Sequence, residues 1–133
     1  KNDYRVFPRF FYSIKKNKPI TIFKNGKQTR TFCYVTDAIT AMFLVTLKGE
    51  KFVYNIGNDG PELNMSNLHI YIQKCLKRKI KAINITYPKN YPQIEPQRRC
   101  PNINKIKKEL NFRNKVSILD SIKRFYFWSN RYY

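Results

Sequence analysis

Apolar residues recur at helical spacing from Val6 to Lys16, where Phe7, Phe10, Phe11 and Ile14 fall on one side. That stripe predicts an amphipathic helix. Pro8 suits its first turn, where no backbone donor is needed, and Pro19 ends the region. Ile20 to Phe23 then reads as a short strand, and Asn25-Gly26 as a turn. A second strand is expected over Arg30 to Val35. Thr36 or Asp37 is the expected cap of a helix running to about Leu47.

The pattern continues in short elements. Phe52 to Ile56 predicts a strand, closed by Gly57 and an Asn-Asp-Gly-Pro turn. Asn64 or Ser66 can cap a helix through Leu76, with Leu68, Ile72, Cys75 and Leu76 on its apolar face. Ile80 to Ile85 is another strand candidate. The stretch from Pro88 to Pro101 holds four prolines and reads as a loop. Asn102 or Asn104 opens a short helix ending near Leu110. Ser117 caps a last helix to about Asn130, with Ile118, Ile122, Phe125 and Trp128 expected inward. The fold class is therefore α/β, built of short helices and short strands. Aromatic residues in these stripes are expected in the core rather than on a ligand platform.

A chain of 133 residues is expected to form one domain. Hydrophobic residues make up 42%, so a core is affordable despite a formal net charge of +19. That charge raises nucleic acid as a partner. The lysines, however, are scattered from Lys15 onward with no focused basic run. Scatter over solvated faces is the better account, and nucleic acid is the weaker expectation. Cys33, Cys75 and Cys100 lie far apart and His69 is the single histidine, which argues against a zinc site. No secretory segment and no membrane-spanning apolar run stands out, so the expected location is the cytoplasm, with no membrane partner. The chain opens on Lys1 rather than methionine, which suggests a fragment or a processed product.

Two segments carry candidate chemistry. In the first, Phe23 could pack on a flat base, Gln28 offers donor and acceptor, and Arg30 could reach a phosphate. The competing account is a surface hairpin whose Arg30 pairs with Asp37, and composition alone favours it. In the second, Arg98 and Arg99 sit just before a helix whose N-terminus favours anions, and Asn102 could meet a ribose hydroxyl. The competing account is a solvated arginine pair followed by an ordinary asparagine cap.

The order of segments settles what neither segment settles alone. RVFPRF, KPITIFKNGKQTRTFCYVTDAITAM, VYNIGN, EPQRRCPNINKIKKELNF and KVSILDSIKRF follow one another along essentially the whole chain. This sequence closely resembles the C-terminal, substrate-binding part of extended short-chain dehydrogenase/reductases, the NAD-dependent sugar-nucleotide epimerases and dehydratases. The nearest branch is that of UDP-glucuronate decarboxylase and dTDP-glucose 4,6-dehydratase. The resemblance implies a nucleotide-sugar site for a UDP- or dTDP-sugar. Val6 would bring its backbone near the nucleotide, and Thr21 and Phe23 would lie along the base. Arg30, with Gln28 beside it, and Arg99 would hold the diphosphate. Asn102 stands where the family commonly has a ribose-binding aspartate, so that contact loses its charge. Tyr91 resembles a substrate-side tyrosine.

What is missing is equally informative. Of the four glycines, Gly26, Gly49, Gly57 and Gly60, none forms a dinucleotide-binding turn. Tyr12 and Lys16 have the spacing of the family's catalytic pair but lie downstream of its place, and read as coincidence. The chain is therefore expected to carry no catalytic residue and no cofactor, NAD belonging to the parent enzyme's absent N-terminal half. Apolar surface should be bare where that half would dock. The oligomeric state is open. A small basic nucleic-acid-binding protein and a non-functional gene remnant remain the alternatives.

Overall fold

A computed structural model describes residues 3–51, 53–91 and 95–132. Ten elements follow in the order α1 (Val6–Lys15), β1 (Ile20–Phe23), β2 (Thr29–Arg30), α2 (Val35–Lys48), β3 (Leu63–Asn64), α3 (Met65–Leu76), β4 (Ala82–Ile85), β5 (Arg98–Arg99), α4 (Asn104–Leu110) and α5 (Ile118–Tyr132). The α/β expectation holds. No helix among the described residues is long and apolar enough to cross a membrane.

The strands form two small sheets. β1 runs parallel to β4, with Ile20 opposite Ala82 and Phe23 opposite Ile85. β2 lies between β3 and β5, antiparallel to the first and parallel to the second. Parallel pairs need long crossovers. Here the chain between β1 and β4 includes α2 and α3, and that between β2 and β5 includes α3 and β4.

The core has two parts. α1, β1, α3 and α5 bury Phe10, Phe11, Ile14, Ile20, Ile22, Leu68, Ile72 and Ile122 together. This is the cluster that the apolar stripes predict, because period 3.6 puts these side chains on one helix face. A second cluster joins Ala41 of α2 to Ile103, Ile106 and Phe112 around α4. Gly26 makes the turn after β1 at φ +64°, the left-handed region glycine tolerates best. A Cβ there would sit 2.6 Å from Ile22 Cγ2.

Several boundaries differ from expectation, each for a non-local reason. The second strand is only Thr29–Arg30, and α2 already begins at Val35 after an extended Tyr34. Thr36 and Asp37 thus sit inside the first turn rather than capping it. Asp37 is instead buried, and its carboxylate accepts the backbone N–H groups of Lys115 (3.1 Å) and Val116 (3.0 Å). Val53 to Ile56 is not a strand, since no neighbouring strand pairs with it, and Phe52 lies outside the described residues. Tyr54 and Ile56 pack on the second core cluster instead. The proline-rich stretch contains β5, whose hydrogen bonds are supplied by β2. Trp128 is 47% exposed rather than inward, with its ring tilted against Phe125 and Tyr132 along its own helix.

Two caps follow the sequence. Asn64 accepts from the Asn67 N–H at 2.7 Å and opens α3. Ser117 accepts from the Asp120 N–H at 3.1 Å while donating to the Asp120 carboxylate at 2.7 Å, which starts α5. The start of α4 differs from the expected asparagine cap: Ile103 holds the N-cap position without a side-chain bond, and Asn102 accepts the Asn104 N–H at 3.0 Å from one residue earlier.

One surface feature bears on the expected docking face. Val35, Ile39, Met42, Phe43 and Leu47 are all exposed and share one side of α2. Phe127 and Tyr132 of α5 are exposed as well.

Candidate functional site

The β2–β5 ladder builds the site. Thr29 is opposite Arg98, and Arg30 is opposite Arg99. Register partners in a parallel pair point to the same face, and successive residues to opposite faces. The ladder therefore separates the two neighbouring arginines. Arg98 joins Thr29 on one face, where Glu62 receives both the Thr29 hydroxyl and the Arg98 guanidinium (Nη2 at 2.9 Å). These two donors hold the Glu62 carboxyl below the usual carboxylate range. Arg99 joins Arg30 on the other face.

That second face lines a cavity of about 440 Å³. The start of α1 contributes Val6 and Arg9, β1 contributes Phe23, and the turn before β2 contributes Gln28. Arg30 and Arg99 supply the ladder wall, while Tyr91 and Glu95 come from the proline-rich loop. Six of the eight residues expected at a nucleotide-sugar site, Val6, Phe23, Gln28, Arg30, Tyr91 and Arg99, thus line one cavity. Thr21 and Asn102 do not. Thr21 is half-buried in β1, opposite Ile83 of β4. The Asn102 side chain is engaged with the Asn104 N–H, and its carbonyl accepts from Asn55 Nδ2 at 3.0 Å.

Arg30 is not paired with Asp37. Its guanidinium Nη2 forms an ion pair with Glu95 and donates to the Pro96 carbonyl at 2.7 Å, and its Nη1 donates to the Thr29 carbonyl at 2.7 Å. Both side chains of the pair are largely covered, 13% and 17% exposed. Glu95 also accepts the Tyr91 hydroxyl at 2.8 Å. Burial, then the Glu95 carboxylate, pushes the Tyr91 hydroxyl up to about 12. Tyr91 in turn stacks on Tyr87, ring centroids 4.4 Å apart, and meets Phe23 edge-on at 5.0 Å. Arg9 covers Phe23, its guanidinium carbon 3.6 Å from the ring centroid.

Sequence reasoning missed Glu95 and Arg9. Glu95 is an acid beside the arginine pair, but only the folded loop brings it to Arg30. Arg9 lies three residues after Val6, on the same side of α1, and that spacing was the available signal.

A second cavity of about 640 Å³ adjoins the first, sharing Arg5, Val6 and Phe32. Phe7, Pro8, Phe125 and Trp128 make it more apolar. Tyr12 and Lys16 line neither cavity, and Tyr12 is exposed. Among the described residues no group of three His, Cys, Asp or Glu could hold a metal ion.

Comparison with known proteins places this geometry in context. Residues 1–57 match the NAD dependent epimerase/dehydratase family. UDP-glucuronic acid decarboxylase 3 of Arabidopsis thaliana is 30% identical over 121 residues, covering 91% of this chain but 34% of the relative. UDP-glucuronic acid decarboxylase 1 of the same plant is 28% identical over 123 residues, 92% of this chain and 27% of the relative. The chain thus spans between about a quarter and a third of these relatives. Among solved structures, UDP-glucuronic acid 4-epimerase from Bacillus cereus, in complex with UDP-glucuronic acid and NAD, superposes with a TM-score of 0.84 at 22% identity. The overlap covers 98% of this chain and 41% of that one. Pal from Bacillus thuringiensis gives a TM-score of 0.83 at 26% identity, again over 98% of this chain and 41% of that one.

Proposed function

We propose, for a chain related in sequence and fold to the C-terminal part of the extended short-chain dehydrogenase/reductases, that its cavity binds the nucleoside diphosphate of a UDP- or dTDP-sugar. The observation that carries this reading is the convergence of Arg30 and Arg99 on one face of a ladder, beside Phe23 and the start of α1. Two guanidinium groups facing one cavity suit a diphosphate, which accepts bidentate hydrogen bonds. Phe23 offers an apolar ring for the base, and buried Gln28 offers an amide. Val6, at the start of α1, lines the cavity beside them, where its backbone would approach the nucleotide. Tyr91 stays a neutral donor over the physiological range and faces the sugar side. Thr21 and Asn102 act indirectly, through the β1–β4 pairing and the start of α4.

In this reading the chain positions a substrate and other residues react with it. Binding energy from the remote nucleotide would orient the sugar carbon, which is the contribution such a site makes to catalysis. The dinucleotide chemistry lies elsewhere in a longer protein. Gly26 follows β1 but leads into β2, not into a helix N-terminus, so the turn does not suit a pyrophosphate. The exposed α2 stripe is the surface that would meet the remaining part.

Isothermal titration with UDP and dTDP tests the reading. Micromolar to millimolar binding is expected, weakened at least tenfold by Arg99→Ala. Absence of binding to either nucleotide by the intact chain would overturn it. Supplied with NAD and UDP-glucuronate or dTDP-glucose, the purified chain should show no turnover, and conversion would sink the assignment of chemistry elsewhere.

A further inference from the structure

The cavity holds a cation, Arg9, that no carboxylate among the described residues pairs with. Arg9 Nε and Nη1 are both buried, and neither has a hydrogen-bond partner. The guanidinium carbon sits over Phe23, 3.6 Å from the ring centroid, with the Phe10 centroid also near at 5.6 Å. A ring face attracts the charge but accepts no conventional hydrogen bond, so the donors stay unsatisfied. The contrast with the opposite wall is sharp. Arg30 is already matched by the Glu95 carboxylate and two carbonyls. Arg99 is exposed to water at the cavity's edge.

We propose that Arg9 is the side chain that ion-pairs with the phosphate oxygens of the bound ligand, ahead of Arg30. The ligand class rests on the nucleotide reading above; the anion preference rests on Arg9 itself. A desolvated guanidinium at a cavity wall gains most from an incoming anion, because no counter-ion must first be displaced. Arg30 would need Glu95 to release it. Arg99 adds a second, solvent-screened contact. The Phe23 ring beneath Arg9 holds the fork in place before the ligand arrives, which lowers the ordering cost of binding.

Titrations with UDP, inorganic pyrophosphate and uridine on the wild type, Arg9→Met and Arg9→Lys test this. Arg9→Met should weaken UDP and pyrophosphate at least tenfold, leave uridine unchanged, and leave the melting temperature of the ligand-free chain equal or higher. Arg9→Lys should recover part of the loss while keeping a cation over Phe23. Undiminished UDP binding in Arg9→Met would overturn the role of Arg9 while leaving the nucleotide reading intact. Arg9-dependent binding of pyrophosphate without any gain from the uridine moiety would uphold Arg9 and sink the nucleotide. Binding of neither anion, or a lowered melting temperature with unchanged affinities, would show Arg9 to be structural only.

Discussion

Arg30 and Arg99 stand directly opposite each other across the parallel β2–β5 ladder. Like charges so placed repel. Glu95 offsets the repulsion by pairing with Arg30 from the side of the cavity. The ladder therefore holds two arginines together at the cost of neutralising one.

Removing that neutralisation should be measurable. Glu95→Gln would lose the ion pair and weaken the Tyr91 contact, destabilising the chain by roughly 2 kcal/mol. The same change frees Arg30, so pyrophosphate affinity should rise several-fold and become more salt-dependent. Thermal melts and titrations at two salt concentrations check this. Reduced affinity in Glu95→Gln would mean that the carboxylate supports the site rather than masking it.

Asp37 binds the chain ahead of α5 to the start of α2. Asp37→Ala would strand the Lys115 and Val116 donors and should cost roughly 2–3 kcal/mol. Both bonds reach the same oxygen, Oδ2, so Asp37→Asn should cost less. Chemical denaturation of the two variants gives the comparison, and equal losses would point to charge rather than hydrogen bonding.

Gly26→Ala combines a positive φ with a Cβ placed against Ile22. A loss of about 1–3 kcal/mol is expected. The same turn carries Gln28 into the cavity, so any ligand affinity should fall with it.

Tyr91 sets an alkaline limit. Its folded-state value is raised to about 12 from 10, so between these the folded chain keeps a proton that the unfolded chain has lost. Stability from this group is thus present below pH 10 and declines as pH rises towards 12. Tyr91→Phe should flatten the loss in that window, as followed by denaturant midpoints at stepped pH.

The exposed side of α2 predicts association. Wild-type chain should self-associate with rising concentration through Phe43 and Leu47, which are 64% and 77% exposed. Replacing both by lysine should yield monomer without lowering the melting temperature. Sedimentation velocity decides, and a wild type that stays monomeric at high concentration would remove the patch as an adhesive face.

How much of this was legible in the sequence depends on the range of the forces involved. The stripe Phe10, Phe11, Ile14 and the caps at Asn64 and Ser117 depend on neighbours within a turn or two, and they form as read. The strand expected over Val53 to Ile56 had suitable residues but no partner, and a strand is made by its partner as much as by its own side chains. β5 is the converse case, a segment of poor strand character paired by β2.

The candidate site divides in the same way. Ordered motifs in the chain pointed to Val6, Phe23, Gln28, Arg30, Tyr91 and Arg99, which one cavity gathers. By itself, then, the sequence determined the helices, the turn at Gly26 and the family likeness, because local periodicity and motif order need no distant contact. Only the tertiary structure decided that Arg99 rather than Arg98 faces the cavity, that Glu95 occupies Arg30, and that Arg9 Nε and Nη1 are buried over Phe23 with no hydrogen-bond partner among the described residues. Those outcomes are set by strand register and by which groups burial brings together, and neither is encoded within a short stretch of chain.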